Sequence, residues 1–179
     1  YLRVVAGGNV GIGTSTPQAK LDVWGSANVY GGLDNITLLD NWSPGATIID
    51  EAELAAVIGD YAYLYGGTTD NFIILNIANR ASTTLVGEWD PDDSALLNDT
   101  NGATVSGDYA YIVGRLSSSL VVLDVSNPSN PYKIGELDDV GGAFGRPSNL
   151  QKSGNYLYTV ASNGSAGLVV IDVSDPQNP

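Results

Sequence analysis

The residues of this sequence that could do chemistry are mainly carboxylates, amides and aromatic side chains. The 179 residues include no His, Cys or Met, which removes imidazole bases, thiol nucleophiles, disulfides and thiolate metal sites. Catalysis would then depend on pairs of carboxylates, and no such pair lies apart from the repeating pattern described below. We therefore predict no catalytic residues and expect a protein that is not an enzyme.

An acidic loop is the main candidate for a metal site. Its oxygen-bearing residues are Asp92, Asp93, Asp99 and Asn101. Such oxygens suit calcium, although the closing bidentate glutamate of an EF-hand loop is lacking. A solvated loop with Asx turns would account for the same residues. Calcium is the one cofactor that the sequence leaves open.

Two aspartates within apolar runs have the look of catalytic groups. Asp124 lies in LVVLDV and Asp172 in LVVIDV, and a proline follows each four residues later. A short acidic side chain beside such a bend readily accepts hydrogen bonds from the amides of the turn. We expect both aspartates to have this structural role.

Aromatic residues suggest a sugar-binding alternative. Trp42 and Trp89 could stack on a carbohydrate ring, whereas the paired tyrosines of the chain are better explained by packing between sheets. A second candidate ligand site comprises Phe144, Arg146 and Asn149, which interrupt the repeat pattern. Four sequons could carry glycans in a glycosylating host, beginning at Asn35, Asn41, Asn98 and Asn163.

The charge of the chain limits its partners. Twenty acidic residues against seven basic ones give a net charge of −13. Such a field repels nucleic acid and anionic lipid, so neither is expected as a partner. No apolar run of the length of a membrane span is present, and we expect no membrane insertion of this segment.

A repeat organises the elements that position these residues. The phrases around Tyr61, Tyr109 and Tyr156 recur at spacings of 48 and 47, and the polar residues Asn76, Asp124 and Asp172 recur every 48. Each period holds about four short β-strands separated by turns, which is typical of a propeller blade. The sequence predicts an all-β fold, a partial β-propeller of four-stranded blades preceded by a short β-rich segment.

The repeats resemble a known family. The runs SGDYAY, LVVLDVSNP and GLVVIDVSDP are similar to LVIVD repeats, with the likeness covering residues 52–179 and weakest in the first copy. The resemblance implies β-propeller blades of the kind found mainly in bacterial and archaeal surface proteins. Since this family is defined by fold, the resemblance implies no particular chemistry.

The N-terminal region carries a second likeness. Residues 8–23, GNVGIGTSTPQAKLDV, resemble a motif of phage tail fibres and large bacterial surface proteins, where it belongs to an intertwined trimeric stalk. That likeness implies that Ile12, Leu21 and Val23 are buried between chains or against the next strand. A plain hairpin packed on the propeller is the alternative. We assign 1–30 to a stalk-like segment, 31–51 to a connector or degenerate half-blade with strands at 36–40 and 46–49, and 52–179 to the repeats.

The last repeat ends before its fourth strand. Isolated repeats leave sheet faces and edges bare, so the region is expected either to be a segment of a longer chain or to close a ring with other chains. Residues 73–77, 120–125 and 168–173 are predicted to be buried central strands. We expect 168–173 to pair with residues 36–49 or, preferably, with a neighbouring protomer in a trimer or filament.

These patterns favour three functions. The first is a non-enzymatic extracellular surface or fibre protein that mediates adhesion or assembly. The second is a tail-fibre or receptor-binding segment of a virion. The third is a lectin-like propeller. The expected partners are copies of the chain itself and a glycan or surface receptor.

Overall fold

A computed structural model describes residues 2–5, 7–23, 38–44, 48–91, 96–138, 144–163 and 167–179. They form β-strands joined by turns, with no helix among them. It follows that none of the described segments is a helix able to span a membrane. The all-β prediction is confirmed.

The strands form four sheets in chain order. The first sheet contains β1 (Leu2–Val4), β2 (Val10–Ile12) and β3 (Leu21–Val23). The first blade contains β4 (Ala52–Ile58), β5 (Tyr61–Gly66), β6 (Phe72–Asn76) and β7 (Thr84–Trp89). The second blade contains β8 (Thr100–Ser106), β9 (Tyr109–Gly114), β10 (Ser119–Asp124) and β11 (Tyr132–Asp138). The third blade contains β12 (Pro147–Ser153), β13 (Tyr156–Ala161) and β14 (Gly167–Asp172).

The N-terminal sheet belongs to a compact unit of its own, residues 1–38, whereas 39–179 form the other. Its order is β1-β2-β3, with β1 and β2 antiparallel and β2 and β3 parallel. The β-rich character of this segment was predicted, but β2 lies in a glycine-rich sequence that gives little strand signal. β1 and β2 form an antiparallel hairpin, which β3 extends to a mixed three-stranded sheet. Ile12 and Leu21 are exposed within this unit.

The blades have the predicted antiparallel, sequential strand order. β4 forms although its sequence, AELAAVI, has helix-favouring residues, because the ladder with β5 overrides local propensity. The register of the first strand shifts in every blade, between residues 54 and 56, 100 and 102, and 148 and 150. Each shift leaves one residue outside the ladder and bends the strand locally, although its position along the first strand differs by one or two residues between blades.

The two faces of a blade differ in composition. We call the face that carries the tyrosines of the second strand the aromatic face, and the opposite one the aliphatic face. The aromatic face of the first blade packs on the aliphatic face of the second, through Tyr63, Tyr65, Phe72 and Ile74 against Ala110, Ile112, Val121, Leu123 and Val125. The second blade packs on the third in the same way, through Tyr111, Val113, Leu120 and Val122 against Leu150, Leu157, Ile171 and Val173.

At each of these two interfaces a glycine of one blade closely approaches the proline turn of the next, a contact that we call the glycine joint. A Cβ on Gly87 of β7 would lie 2.0 Å from the carbonyl oxygen of Pro128, in the turn of the second blade. A Cβ on Gly135 of β11 would lie 2.3 Å from the carbonyl oxygen of Pro176, in the turn of the third. Only glycine allows the fourth strand of one blade to approach the turn of the next so closely.

Two predictions about strands are wrong. Residues 38–40 and 48–49 are not in strands; instead Trp42, Ile48 and Ile49 pack against the aliphatic face of the first blade. Residues 168–173 form an edge strand that pairs only with β13 among the described residues, rather than a buried central strand. Leu168 and Val170 of this strand are more than half exposed.

Candidate binding surfaces

A double turn follows the third strand of every blade. The side chains of Asn76, Asp124 and Asp172 each accept a hydrogen bond at 2.9 Å from the amide two residues later. The residue three positions after each of them, Asn79, Asn127 or Asp175, repeats that pattern at 3.1–3.2 Å. The predicted structural role of Asp124 and Asp172 is therefore confirmed.

These turns also set the charge state of both aspartates. The hydroxyl and amide of Ser126 stabilise the ionised form of Asp124 and hold its pKa below the usual value. The amide of Ser174 lowers the pKa of Asp172 for the same reason. Carboxylates held ionised by turn amides are poorly suited to act as proton donors or acceptors near neutral pH.

The third blade has an open aromatic face. Val122 and Leu120 of the second blade are fully buried, whereas the equivalent Val170 is 51% exposed and Leu168 is 67% exposed. Tyr156 and Val160 on the neighbouring strand are also exposed. We call these four residues the open face. Together with the unpaired edge of β14, they form an apolar surface of the type that marks protein interfaces.

A polar cavity lies where the first strands of the three blades meet. It has a volume of about 240 Å³, and its lining includes Glu53, Tyr65, Thr104, Asn149 and Gln151. The buried Tyr65 hydroxyl donates a hydrogen bond of 2.6 Å to Glu53, and burial together with this carboxylate raises the pKa of the tyrosine. The cavity thus offers one carboxylate and two amide groups to a small polar ligand.

The predicted calcium site is only partly described. Asp99 forms a salt bridge with Arg115, so its carboxylate already has a cationic partner. Asn101 lies in β8, and Asp92 and Asp93 lie outside the described residues. In the part of the chain that the structure describes, no three acidic side chains lie together as a metal site would need. The calcium hypothesis therefore stays a prediction.

The two tryptophans have different surroundings. Trp42 lines a shallow, mainly apolar hollow of about 260 Å³ with Pro44, Asp50 and Leu64. Trp89 packs instead at the margin of the core between the first two blades. Trp42 is therefore the better placed of the two to meet a ligand.

The three residues predicted to form a ligand site at the blade crossing have different surroundings. Phe144 is buried in the core between the second and third blades. Arg146 is exposed, and its amide lies 3.3 Å from the Ser118 hydroxyl that it donates to. Asn149 is the bulge residue of β12, with φ of 54°, and lines the polar cavity. Of the three, Asn149 is the one that lines the polar cavity described above.

The sequons also differ in setting. Asn41, Asn98 and Asn163 are exposed, and Asn35 lies outside the described residues. The threonine of the sequon at Asn98 is Thr100, which is buried with its hydroxyl donating to Asp70 at 3.0 Å. This sequon is therefore poorly presented in the folded chain.

Glu53 and Tyr65 are cavity residues that the sequence-based predictions missed. Glu53 lies in a stretch of helix-favouring composition and carries no motif. The useful signal was the repeat itself, since Glu53 precedes Asn149 by two periods of 48 residues. Aligning the first strands of the three repeats would have shown that Glu53 and Asn149 occupy nearly equivalent positions, and therefore that both could line one surface.

Comparisons with known proteins agree with this architecture. The model of the LVIVD repeat matches residues 51–90, 99–139 and 145–179. No curated protein matches the chain. One similar solved structure is a functionally unknown protein from Desulfotomaculum acetoxidans, with a TM-score of 0.53 and 13% identity over 68% of this chain. A europium-containing methanol dehydrogenase gives a TM-score of 0.49 and 11% identity, covering 68% of this chain and 23% of its own.

The likeness to the Desulfotomaculum acetoxidans protein concerns the fold. The chain spans 36% of the Desulfotomaculum acetoxidans protein, and the sequence identity is low. At this level a shared arrangement of strands carries no information on ligands.

Proposed function

Because the chain belongs to the LVIVD repeat family, whose repeats make up most of it, we propose that it is a non-enzymatic extracellular surface or fibre protein that assembles or adheres through its propeller. The observation that carries this proposal is the open face of the third blade. The equivalents of Leu168, Val170 and Val160 in the second blade, which are Leu120, Val122 and Val113, are fully buried between two sheets. An apolar face of this kind is costly to leave in water, so assembly would stabilise it.

The non-enzymatic part of the proposal is supported by the partners that three carboxylates already have within the fold. Asp124 and Asp172 are held ionised by turn amides, and Asp99 is paired with Arg115. The polar cavity and the Trp42 hollow remain available for adhesion. The proposed location is the cell surface or a virion tail.

Light scattering coupled to size-exclusion chromatography tests the assembly proposal. We expect the wild-type chain to form oligomers whose mass rises with concentration. The double variant Leu168→Glu, Val170→Glu should remain folded and be monomeric, because charge at the open face opposes its burial. Leu116→Glu, at an exposed turn position of the second blade, is the matched control. A monomeric wild type at every concentration would refute the proposal.

A tail-fibre segment is a second candidate, supported by the N-terminal sheet. Leu2, Val4, Ile12 and Leu21 are all exposed within that small unit, as expected if other chains cover it. Cross-linking should then give a trimer that Leu21→Asp disrupts. Trimers that persist unchanged in that variant would argue against a stalk at residues 8–23.

A lectin-like role is the third candidate, supported by the Trp42 hollow. An aromatic ring beside the Asp50 carboxylate is a suitable combination for a sugar, because the ring stacks on its apolar face and the carboxylate accepts from its hydroxyls. Glycan-array binding that Trp42→Ala abolishes and Trp42→Phe retains would support it. Absence of binding of the wild type to any glycan on the array would refute the lectin-like role.

A further inference from the structure

The polar cavity is enclosed by three neighbouring strands of one compact unit. Its walls come from β4 of the first blade, β8 of the second and β12 of the third. A Cβ placed on Gly102 of β8 would lie 2.9–3.1 Å from backbone atoms of Asn149, so β8 and β12 are in backbone contact beside the cavity. Every residue that lines the cavity belongs to the described part of the chain.

The first blade contributes a polar pair that the other blades lack. Tyr65 lies opposite Glu53 in the ladder, and its buried hydroxyl donates a hydrogen bond of 2.6 Å to that carboxylate. The second-strand residues equivalent to Tyr65 are Val113 and Val160, which have no hydroxyl group. Packing between blades recurs in every copy, so it does not account for a polar pair that one copy alone carries.

The other two blades contribute different polar groups to the same cavity. Thr104 of β8 lies opposite Tyr111, and Gln151 of β12 lies opposite Tyr158. The residue that holds this position in the first blade is Ala56. Side chains that differ between the copies and yet meet at one cavity are better explained by a ligand than by the architecture that the copies share.

The bulge of β12 adds a further amide group. Asn149 lies outside the ladder between Ser148 and Leu150, with φ of 54°. Asparagine tolerates this left-handed conformation better than most residues do. A bulge also redirects a side chain relative to the regular alternation of a strand. The amides of Asn149 and Gln151 both line the cavity, and each can donate and accept hydrogen bonds.

Glu53 is the one charged side chain among the residues that line the cavity. Neither of the salt bridges found among the described residues includes it. Lys152, which follows Gln151 along β12, donates instead to the carbonyl of Gly154. The net charge of −13 adds to the attraction of the cavity for a cation. A ligand that neutralises Glu53 must therefore carry its own positive charge.

We propose that the polar cavity binds an amino sugar, with its ammonium group on Glu53 and its hydroxyl groups on the amides of Asn149 and Gln151. An ammonium group has three donors and no acceptor, which suits a carboxylate flanked by amide oxygens, and its charge strengthens the hydrogen bond. The volume of about 240 Å³ is below that of pockets for drug-sized ligands and admits about one sugar ring. This site is separate from the open face and from the Trp42 hollow.

Isothermal titration calorimetry with glucosamine tests this site, and glucose is the neutral probe with the same ring. We expect glucose to bind at least about tenfold more weakly than glucosamine, because glucose lacks the charged contact. Glu53→Gln keeps the size of the side chain and an oxygen that can accept from Tyr65. It should weaken glucosamine binding by about tenfold or more and remove most of the difference between the two sugars. Asp108→Asn removes one negative charge at an exposed turn and, as the matched control, should bind like the wild type.

Amide chemical shifts of the wild-type chain locate the bound sugar without any substitution. Titration with glucosamine should shift the amides of residues 53–55, 102–104 and 149–151 together, since all three strands line the cavity. Gln151→Leu removes an amide from a different strand and should also weaken binding, whereas Trp42→Ala should leave it unchanged.

Two results would overturn the proposal at different points. Equal affinity for glucosamine and glucose, or wild-type affinity in folded Glu53→Gln, would show that the ligand is not a cation held by this carboxylate. Shifts confined to other residues, or no binding of glucosamine at millimolar concentrations, would refute the site itself. Both measurements are made on the dissolved chain whatever its oligomeric state, so they succeed or fail independently of the proposed assembly.

Discussion

The second and third blades have closely similar sequences but different surroundings, and their comparison separates what a repeat encodes from what its neighbours supply. LVVLDV in β10 and LVVIDV in β14 differ at one position. The first run is buried on both faces and paired on both edges, whereas the second is covered on one face and paired on one edge. An apolar run of this composition is therefore compatible with a central strand and with an interface.

The same comparison explains why the open face is a candidate for function. Within the second blade the aromatic face contributes to stability, because the third blade removes it from water. Within the third blade the equivalent side chains contribute little to the fold of the isolated chain. The proposed assembly would remove them from water.

The largest difference should appear when a charge replaces the equivalent valine in each blade. Val122→Asp places a carboxylate in the core between two blades and should lower the free energy of unfolding by more than about 4 kcal/mol. Val170→Asp lies at the exposed position one period later and should cost less than about 1 kcal/mol in the monomer. Urea unfolding followed by tryptophan fluorescence measures both. Equal losses would show that the third blade is covered after all.

An intermediate effect is expected at the glycine joints. Gly87→Ala drives a methyl group against the carbonyl of Pro128 and should cost about 1–3 kcal/mol as the two blades separate locally. Gly135→Ala should loosen the third blade instead, since its obstacle is the turn at Pro176. Hydrogen exchange should then show faster opening of β12–β14 than of β4–β7. Wild-type protection in both variants would show that these glycines are not needed for the contact between blades.

The smallest effect concerns the double turns. Asp124 accepts from the amide of Ser126 and, at 3.3 Å, from the Tyr132 hydroxyl of the fourth strand, whereas Asp172 makes no such hydroxyl contact with the residues that the structure describes. We therefore expect Asp124→Asn to cost about 1 kcal/mol at neutral pH and Asp172→Asn to cost less.

The pH dependence of these variants follows from the sign of the pKa shift. The pKa of Asp124 is lowered in the folded state relative to its usual value of 3.8, so its contribution is present above that value and is lost as the pH falls through the folded pKa. The difference between wild type and Asp124→Asn should therefore shrink as the pH falls below about 4. Unfolding curves at neutral and acidic pH measure it. A difference that grows on acidification would mean that the shift has the opposite sign.

Much of the architecture could be predicted from the sequence, because blade formation depends on local signals. Period-two alternation at Tyr109 and Tyr111, the glycine-aspartate corners and the proline bends all lie within one repeat. The double turns at Asp124 and Asp172 were predictable for the same reason. Their hydrogen bonds join residues only two positions apart.

Features that depend on distant contacts could not be predicted. The exposure of Leu168 and Val170 is decided by whether another sheet lies against them, and the first blade is packed against by Trp42, which has no counterpart in the repeats. The polar cavity joins Glu53 to Asn149 across three blades. The parallel pairing of β2 with β3 arises within a glycine-rich sequence that carries almost no strand signal.

The glycine joint also bears on how such a chain could grow in evolution. The glycine is supplied by the fourth strand of one repeat and the proline turn by the next, and both recur every 48 residues. A tandem duplication of one period therefore copies one such glycine and one such proline turn together. This holds wherever in the repeat the duplicated stretch begins. The inserted blade would fit both of its neighbours at once, without any compensating substitution in either.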